Sequence, residues 1–266
     1  MGTAVTQEHV GMNRTGIQMS PIDAQAMQAA DPAMLPTPNG EAALGAIRKD
    51  YIANADALGS VPLPGTLSGA LNMGMTMLKG ESPTILLDKL GERLAFERTG
   101  TRLYEALINK CEVMLDDDIS MTLAELQRIR NDEARHFLMV REAIASLGGD
   151  PTSQTPSADL VGVESLGLVQ VLSDPRTSIA QSLHALVTAE LSDKAGWETL
   201  VALADEQDLT ELVDNFTLAL NEEREHLGLV QTWYEEAIGL SYGDVVLEGD
   251  AAAPDLAAGD QANPGP

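Results

Sequence analysis

Two stretches of this chain carry the same arrangement of side chains: Glu133-Ala134-Arg135-His136 and Glu223-Arg224-Glu225-His226, each a Glu-x-x-His. Residues three apart share a face on a helix, where they stand about one turn from each other, whereas on a strand they would point to opposite faces. Each tetrad therefore calls for a helix that aims one carboxylate and one imidazole at a common point. The surrounding sequence agrees. Runs rich in Ala, Leu, Glu and Arg, the strong helix formers, fill the middle of the chain, and clean alternating segments of Val, Ile, Thr or Tyr are missing. With 44% hydrophobic but only 3% aromatic residues, the core is expected to be aliphatic and Met-rich. An all-α fold follows.

Punctuation residues divide the helical part into four long segments. The first is predicted from Pro83 to Leu115, with Ser82 as cap and the Asp116-Asp117-Asp118 turn as its end. The second runs from Ser120 to Leu147 and is stopped by Gly148, Gly149 and Pro151. A third begins near Asp174 or Pro175 and ends near Asp205, and a fourth runs from about Asp208 to Ile238, before Gly239. Two links are short and force antiparallel hairpins, while the long middle connection has the reach to return along a bundle and start a second hairpin. Some helix is expected within it, from Leu160 to Leu172. Residues 1–80 are rich in Gly, Pro, Met and Gln, with Pro21, Pro32, Pro36, Pro38, Pro62 and Pro64 breaking any long helix, and read as an extended arm. Within this arm a short helix is predicted over Glu41 to Leu58, and Leu67, Leu71, Met75 and Leu78 give Thr66 to Leu78 a helical spacing. Residues 241–266 read as a disordered acidic, Ala-Pro-Gly tail. The expected organisation is thus an arm over 1–80, a bundle over 81–240 and a tail.

If the two tetrads share a metal centre, the other two helices should supply one carboxylate each. Glu97 and Glu190 fit, lying 36 residues before Glu133 and 33 before Glu223, level with the tetrads across each hairpin. The halves match further: Glu97 is followed at equal offsets by Tyr104, Glu105 and Leu107, and Glu190 by Trp197, Glu198 and Leu200, as in an internal duplication. Four carboxylates and two neutral imidazoles carry a charge that two divalent cations cancel. Left bare in a core they would be costly to desolvate. Oxygen-dominated ligation with two nitrogens suits Fe(II) or Mn(II). Tyr104 and Trp197 lie two turns from a ligand, compatible with a redox or supporting role, with core packing the leading expectation. His184 and His9 have no partner by spacing and are read as non-ligands.

The pattern Glu, Glu-x-x-His, Glu, Glu-x-x-His over Glu97, Glu133, His136, Glu190, Glu223 and His226 resembles the ferritin-like carboxylate-bridged di-metal superfamily, over about residues 83 to 240. Asp132-Glu133-Ala134-Arg135-His136 is similar to the (Asp/Glu)-Glu-x-Arg-His signature of di-iron oxidases, in which the residue before the Glu hydrogen-bonds a ligand His. The resemblance therefore implies that Asp132 and Glu222 support the imidazoles. In the fourth helix Glu225 stands where Arg would be. Glu97 with Tyr104, and Leu147-Gly148-Gly149 with Pro151, look rubrerythrin-type, although no rubredoxin domain is present. Asp193, one turn after Glu190, matches an additional ligand of the kind rubrerythrins use, or else a solvated helix residue. The resemblance implies a di-iron protein that oxidises Fe(II) with dioxygen or peroxide, in iron handling or oxidative-stress defence. The same ligands would also serve a manganese catalase or an oxygen-inserting oxidase acting on an organic substrate. A non-enzymatic structural or cargo bundle, docked through its arms, is the third reading. Ferritin-like bundles commonly pair, so a homo-oligomer, at least a dimer, is expected.

Charge and cysteine content exclude other classes. The formal net charge is -25, and after position 80 there are 35 acidic against 12 basic residues, so a nucleic-acid-coating role is not expected. The single cysteine, Cys111, excludes an internal disulfide and a Cys-x-x-Cys iron site, and reads as a helix-packing residue. No apolar run is long enough to span a bilayer and no basic-then-apolar leader opens the sequence, so a cytoplasmic protein is expected.

Overall fold

Three of the described helices start where a Thr or Ser side chain satisfies one of the first free backbone N–H groups. In the computed structural model, which describes residue 22 and residues 40–62, 83–115 and 118–240, every described element is a helix and no strand occurs among the described residues. The expectations for His9, Thr66 to Leu78, Ser82, Asp116, Asp117 and the tail lie outside the described residues. The chain divides into two units, residues 1–57 and 58–266. The first contains α1 (Gly40–Asn54), whose Leu44, Ile47 and Tyr51 are exposed. It stops short of the expected Leu58, where the Asn54 amide folds back onto the Asp50 carbonyl at 2.8 Å.

In the second unit, α2 (Pro83–Met114) and α3 (Leu123–Ser146) are followed by two short helices, α4 (Pro156–Glu164) and α5 (Leu166–Ser173), then by α6 (Ile179–Asp205) and α7 (Thr210–Ala237). Two helices begin later than the sequence suggested. Helix α3 starts after Thr122, because Thr122 and Glu125 form a reciprocal capping box. Ser120, the expected first residue, instead gives its backbone N–H and hydroxyl to Glu236 at 2.8 Å each. Helix α6 starts after Ser178, which makes the same box with Gln181. Asp174 is used one turn earlier, where its carboxylate accepts from the Arg176 backbone N–H at 2.9 Å. The ends fall where expected: Gly148 and Gly239 take left-handed φ values of 81° and 78°, a conformation that costs glycine little.

Two apolar clusters make the core, and their order along each helix gives its direction. Helix α2 passes from one cluster (Leu86, Leu90) to the other (Leu103, Leu107), and α3 returns from Leu126 and Ile129 to Val140 and Ile144. Helix α6 runs the same way as α3, from Leu183 and Leu186 to Trp197 and Leu200, and α7 comes back from Phe216 and Leu220 to Val230 and Trp233. Helix α2 packs on α3 and α6, and α7 packs on α6 and α3. For α3 and α6 to run in one direction, the connection between them must travel the length of the helices. Helices α4 and α5 do so, lying against α2, with Ser165 as the shared cap between them. Only part of this stretch was expected to be helical.

The crossover is fastened at both ends. Ser157 donates its N–H and hydroxyl to Asp88 at 2.9 and 2.6 Å, and the Thr155 side chain fills the space over Gly91, where a Cβ would stand 2.4 Å from the Thr155 hydroxyl oxygen. At the far end Lys110 donates to the Asp174 carbonyl at 3.2 Å and to the Ser182 hydroxyl at 2.9 Å. Beside it, burial pushes the Cys111 thiol up to about 11, as fits a packing residue rather than a reactive one. None of the described helices is long and apolar enough to cross a membrane.

Candidate metal centre

Between the two apolar clusters each long helix turns polar side chains inward, and these side chains are the ones the spacing singled out. Glu97 of α2, Glu133 and His136 of α3, Glu190 of α6, and Glu223 and His226 of α7 are all buried. Their ligating atoms fall into overlapping groups, the atoms of each within 4.8 Å of one another: Glu97, His136 and Glu223 form one, Glu133, Glu190, Glu223 and His226 a second, and Glu97, Glu133 and Glu223 join Asp193 in a third. Glu223 belongs to all three. One of its oxygens lies 2.7 Å from Nδ1 of His136 and the other 3.2 Å from Nδ1 of His226.

Both imidazoles turn Nδ1 into the cluster and Nε2 outward to an acid on the opposite helix. His136 Nε2 meets Glu222 at 2.7 Å, and His226 Nε2 meets Asp132 at 3.3 Å. A carboxylate beyond Nε2 requires that nitrogen to carry a proton, so Nδ1 is the nitrogen of each ring that faces the cluster. The two acids are themselves held, since Arg135 donates to Asp132 and to Glu222 at 2.8 Å each. Asp132 and Glu222 each meet the imidazole of the other tetrad-bearing helix.

The remaining polar atoms have little else to bond. Both oxygens of Glu97 and Glu133, one each of Glu190 and Glu223, and Nδ1 of His136 are buried without a well-formed hydrogen bond. Burial and the crowding of like charge push Glu133 well above the carboxylate range, and burial pushes Asp193 the same way against the opposing pull of Arg93. Glu190 is raised to about 8, by burial and then by Glu223. Burial also lifts Glu97 to about 7, against the pull of Arg93 and His136. Glu223 goes the other way, to about 2, because hydrogen bonds from both imidazoles outweigh its burial, and His136 is raised correspondingly to about 9 despite its own burial. Carboxylates outnumber the cationic groups around the cluster, and carboxylate and imidazole donors in this density suit a divalent cation.

Tyr104 and Trp197, at equivalent places in the repeat, cross over in the same manner as the acids. The Tyr104 hydroxyl donates to Glu190, and the Trp197 indole packs edge-on to His136 with ring centroids 5.4 Å apart. Both are buried, so each packs the core and touches the cluster at once. Asp193 is buried rather than solvated, with an oxygen 2.8 Å from Arg93 Nη1. His184 lies outside the cluster, its ring 5.5 Å from that of Tyr234.

Three participants escaped the sequence reading. Arg93, buried one turn before Glu97, sets its Nε 3.1 Å from that carboxylate. Gly196 leaves it room, since a Cβ there would come within 2.3 Å of Arg93 Nη1. Gly100 does the same for Glu133, with a Cβ placed 2.0 Å from Oε2. A glycine inside a long helix costs about 0.5–1 kcal/mol against alanine, and that was the available signal. The chain matches no protein-family model, no curated protein and no solved structure.

Proposed function

We propose that residues 83–240 form a ferritin-like four-helix bundle whose centre holds two iron ions and oxidises Fe(II) with dioxygen or peroxide. The observation that carries this reading is Glu223, one buried carboxylate shared by two groups of donors, each with its own imidazole. Glu97 with His136 would hold one ion and Glu190 with His226 the other, with Glu133 and Glu223 between them. A pair of Fe(II) ions would supply the electrons that reduce the oxidant.

The protein's own residues do the rest. Glu222 and Asp132 fix the imidazole tautomers. Tyr104 occupies one oxygen of Glu190 and leaves the other unpartnered. The apolar clusters on either side keep bulk water from the charged groups. Anaerobic addition of Fe(II), followed by desalting and metal analysis, should leave two ions per chain, and exposure to air or peroxide should convert them to Fe(III). Glu133→Ala and Glu223→Ala should retain far less. Trace retention by the wild type, or variants that bind as much as it does, would defeat the proposal.

The crosswise acids give a graded check. Glu222→Ala removes the partner of His136 Nε2 without touching a ligand, so metal affinity should fall by about tenfold, within the range known for such supporting groups. Its side chain is 38% exposed, and the unfolding temperature of the metal-free protein should barely move. Competition against a chromophoric chelator measures the first quantity and thermal unfolding the second. An unchanged affinity would mean that Glu222 does not orient the ring.

A further inference from the structure

Asp193 presents a difficulty that the six-ligand set does not resolve. Its carboxylate is buried, and a ligating atom of it lies within 4.8 Å of those of Glu97, Glu133 and Glu223, as close as the proposed ligands lie to one another. A fifth carboxylate in the centre would leave two divalent ions one positive charge short. Arg93 supplies that charge. Its Nη1 sits 2.8 Å from the Asp193 carboxylate and also donates to the Asp193 backbone carbonyl at 2.8 Å, while Nε faces Glu97 at 3.1 Å. The guanidinium cannot lose its proton at working pH. It is held on one side by the space over Gly196 and on the other by the Phe96 ring, 4.3 Å from its central carbon.

The pair stands on one side of the centre only. The positions equivalent to Arg93 and Asp193 in the other half, four before Glu190 and three after Glu97, are Leu186 and Gly100. An acid on α6 and a base on α2 therefore break the symmetry together, and neither has a counterpart.

We infer that Arg93 and Asp193 act as one neutral unit, in which Arg93 holds Asp193 off the metals and so fixes the capacity of the centre at two divalent ions. This rests on the two-metal reading above. Five carboxylates and one guanidinium sum to the charge of four carboxylates, which two divalent ions balance. Removing Asp193 alone leaves Arg93 unopposed beside Glu97 and weakens the ion held there. Removing both charges restores the balance.

The test is a titration with Mn(II), with bound metal counted per chain, for the wild type, Asp193→Asn, and Asp193→Asn combined with Arg93→Met. The wild type should bind two ions. Asp193→Asn should bind one as before and the second at least tenfold more weakly, and the double variant should recover the second ion. If Asp193→Asn binds both ions at wild-type affinity, the pair does not set the capacity. If the double variant folds, with wild-type helical circular dichroism, yet binds no better than Asp193→Asn, then Asp193 is itself a ligand and the inference falls. A wild type that binds no Mn(II) or Fe(II) removes the two-metal reading, whereas failure in the variants alone removes only this one.

Discussion

Gly100→Ala should lower metal retention by about a hundredfold while leaving the metal-free protein as stable as the wild type or slightly more so. Within a helix the exchange ordinarily gains about 0.5–1 kcal/mol, because alanine loses less conformational freedom on folding. At this position, however, the new methyl would stand 2.0 Å from Oε2 and 2.9 Å from Cδ of Glu133. The carboxylate is the movable partner and must rotate away from the place where both ions would meet it. Displacing a ligand should cost at least the upper end of what losing a supporting group costs, about a hundredfold in affinity. Chelator competition and thermal unfolding in parallel distinguish this result from general damage. If Gly100→Ala keeps its full metal complement, Glu133 does not need the position it occupies here.

Trp197→Ala should be the most destabilising single change among the residues discussed, by about 3–5 kcal/mol. The indole is fully buried, packs 5.6 Å from the Phe216 ring and 5.4 Å from His136, and belongs to the cluster that closes one end of the centre. For a domain of this size each kcal/mol moves the unfolding temperature by about 2–4 °C, so a fall of about 6–20 °C is expected. Trp197→Phe should do much less harm, because it keeps an aromatic ring in the packed site and gives up only the weak approach of Nε1 to Glu97. Denaturant unfolding of both variants checks the ordering. Equal losses would mean that the indole nitrogen, rather than the bulk of the ring, holds this region together.

Much of the cluster was legible because its carboxylates and imidazoles lie at fixed offsets on helices that the sequence marks clearly. Glu133 with His136 and Glu223 with His226 need only one helical turn each, and Glu97 and Glu190 need only that each hairpin be in register. The caps were harder. Ser120 and Thr122 are both good cap residues, and only the reach of Glu125 to the backbone of Thr122 decides between them. Asp174 and Ser178 pose the same choice, settled by Gln181. Arg93 could not be assigned from its neighbours, since its decisive partners, Asp193 and Gly196, lie on a helix about a hundred residues away. The split of the crossover at Ser165 was likewise hidden, because Ser165 keeps helical backbone geometry and bonds its hydroxyl back to the Val161 carbonyl at 2.7 Å, which any helical serine can do.

The crosswise pattern limits how this centre could have come into being. Each hairpin brings one imidazole, but the acid that orients that imidazole comes from the other hairpin, as does the aromatic group beside each outer carboxylate. A lone hairpin would have an unsupported imidazole and half of the carboxylates, with its interior face open to water. A single-copy version of this arrangement would be complete only as a pair of identical chains, with both sides alike. The crossover makes the two hairpins one chain, so one side can carry a feature, the Arg93–Asp193 pair, that the other lacks.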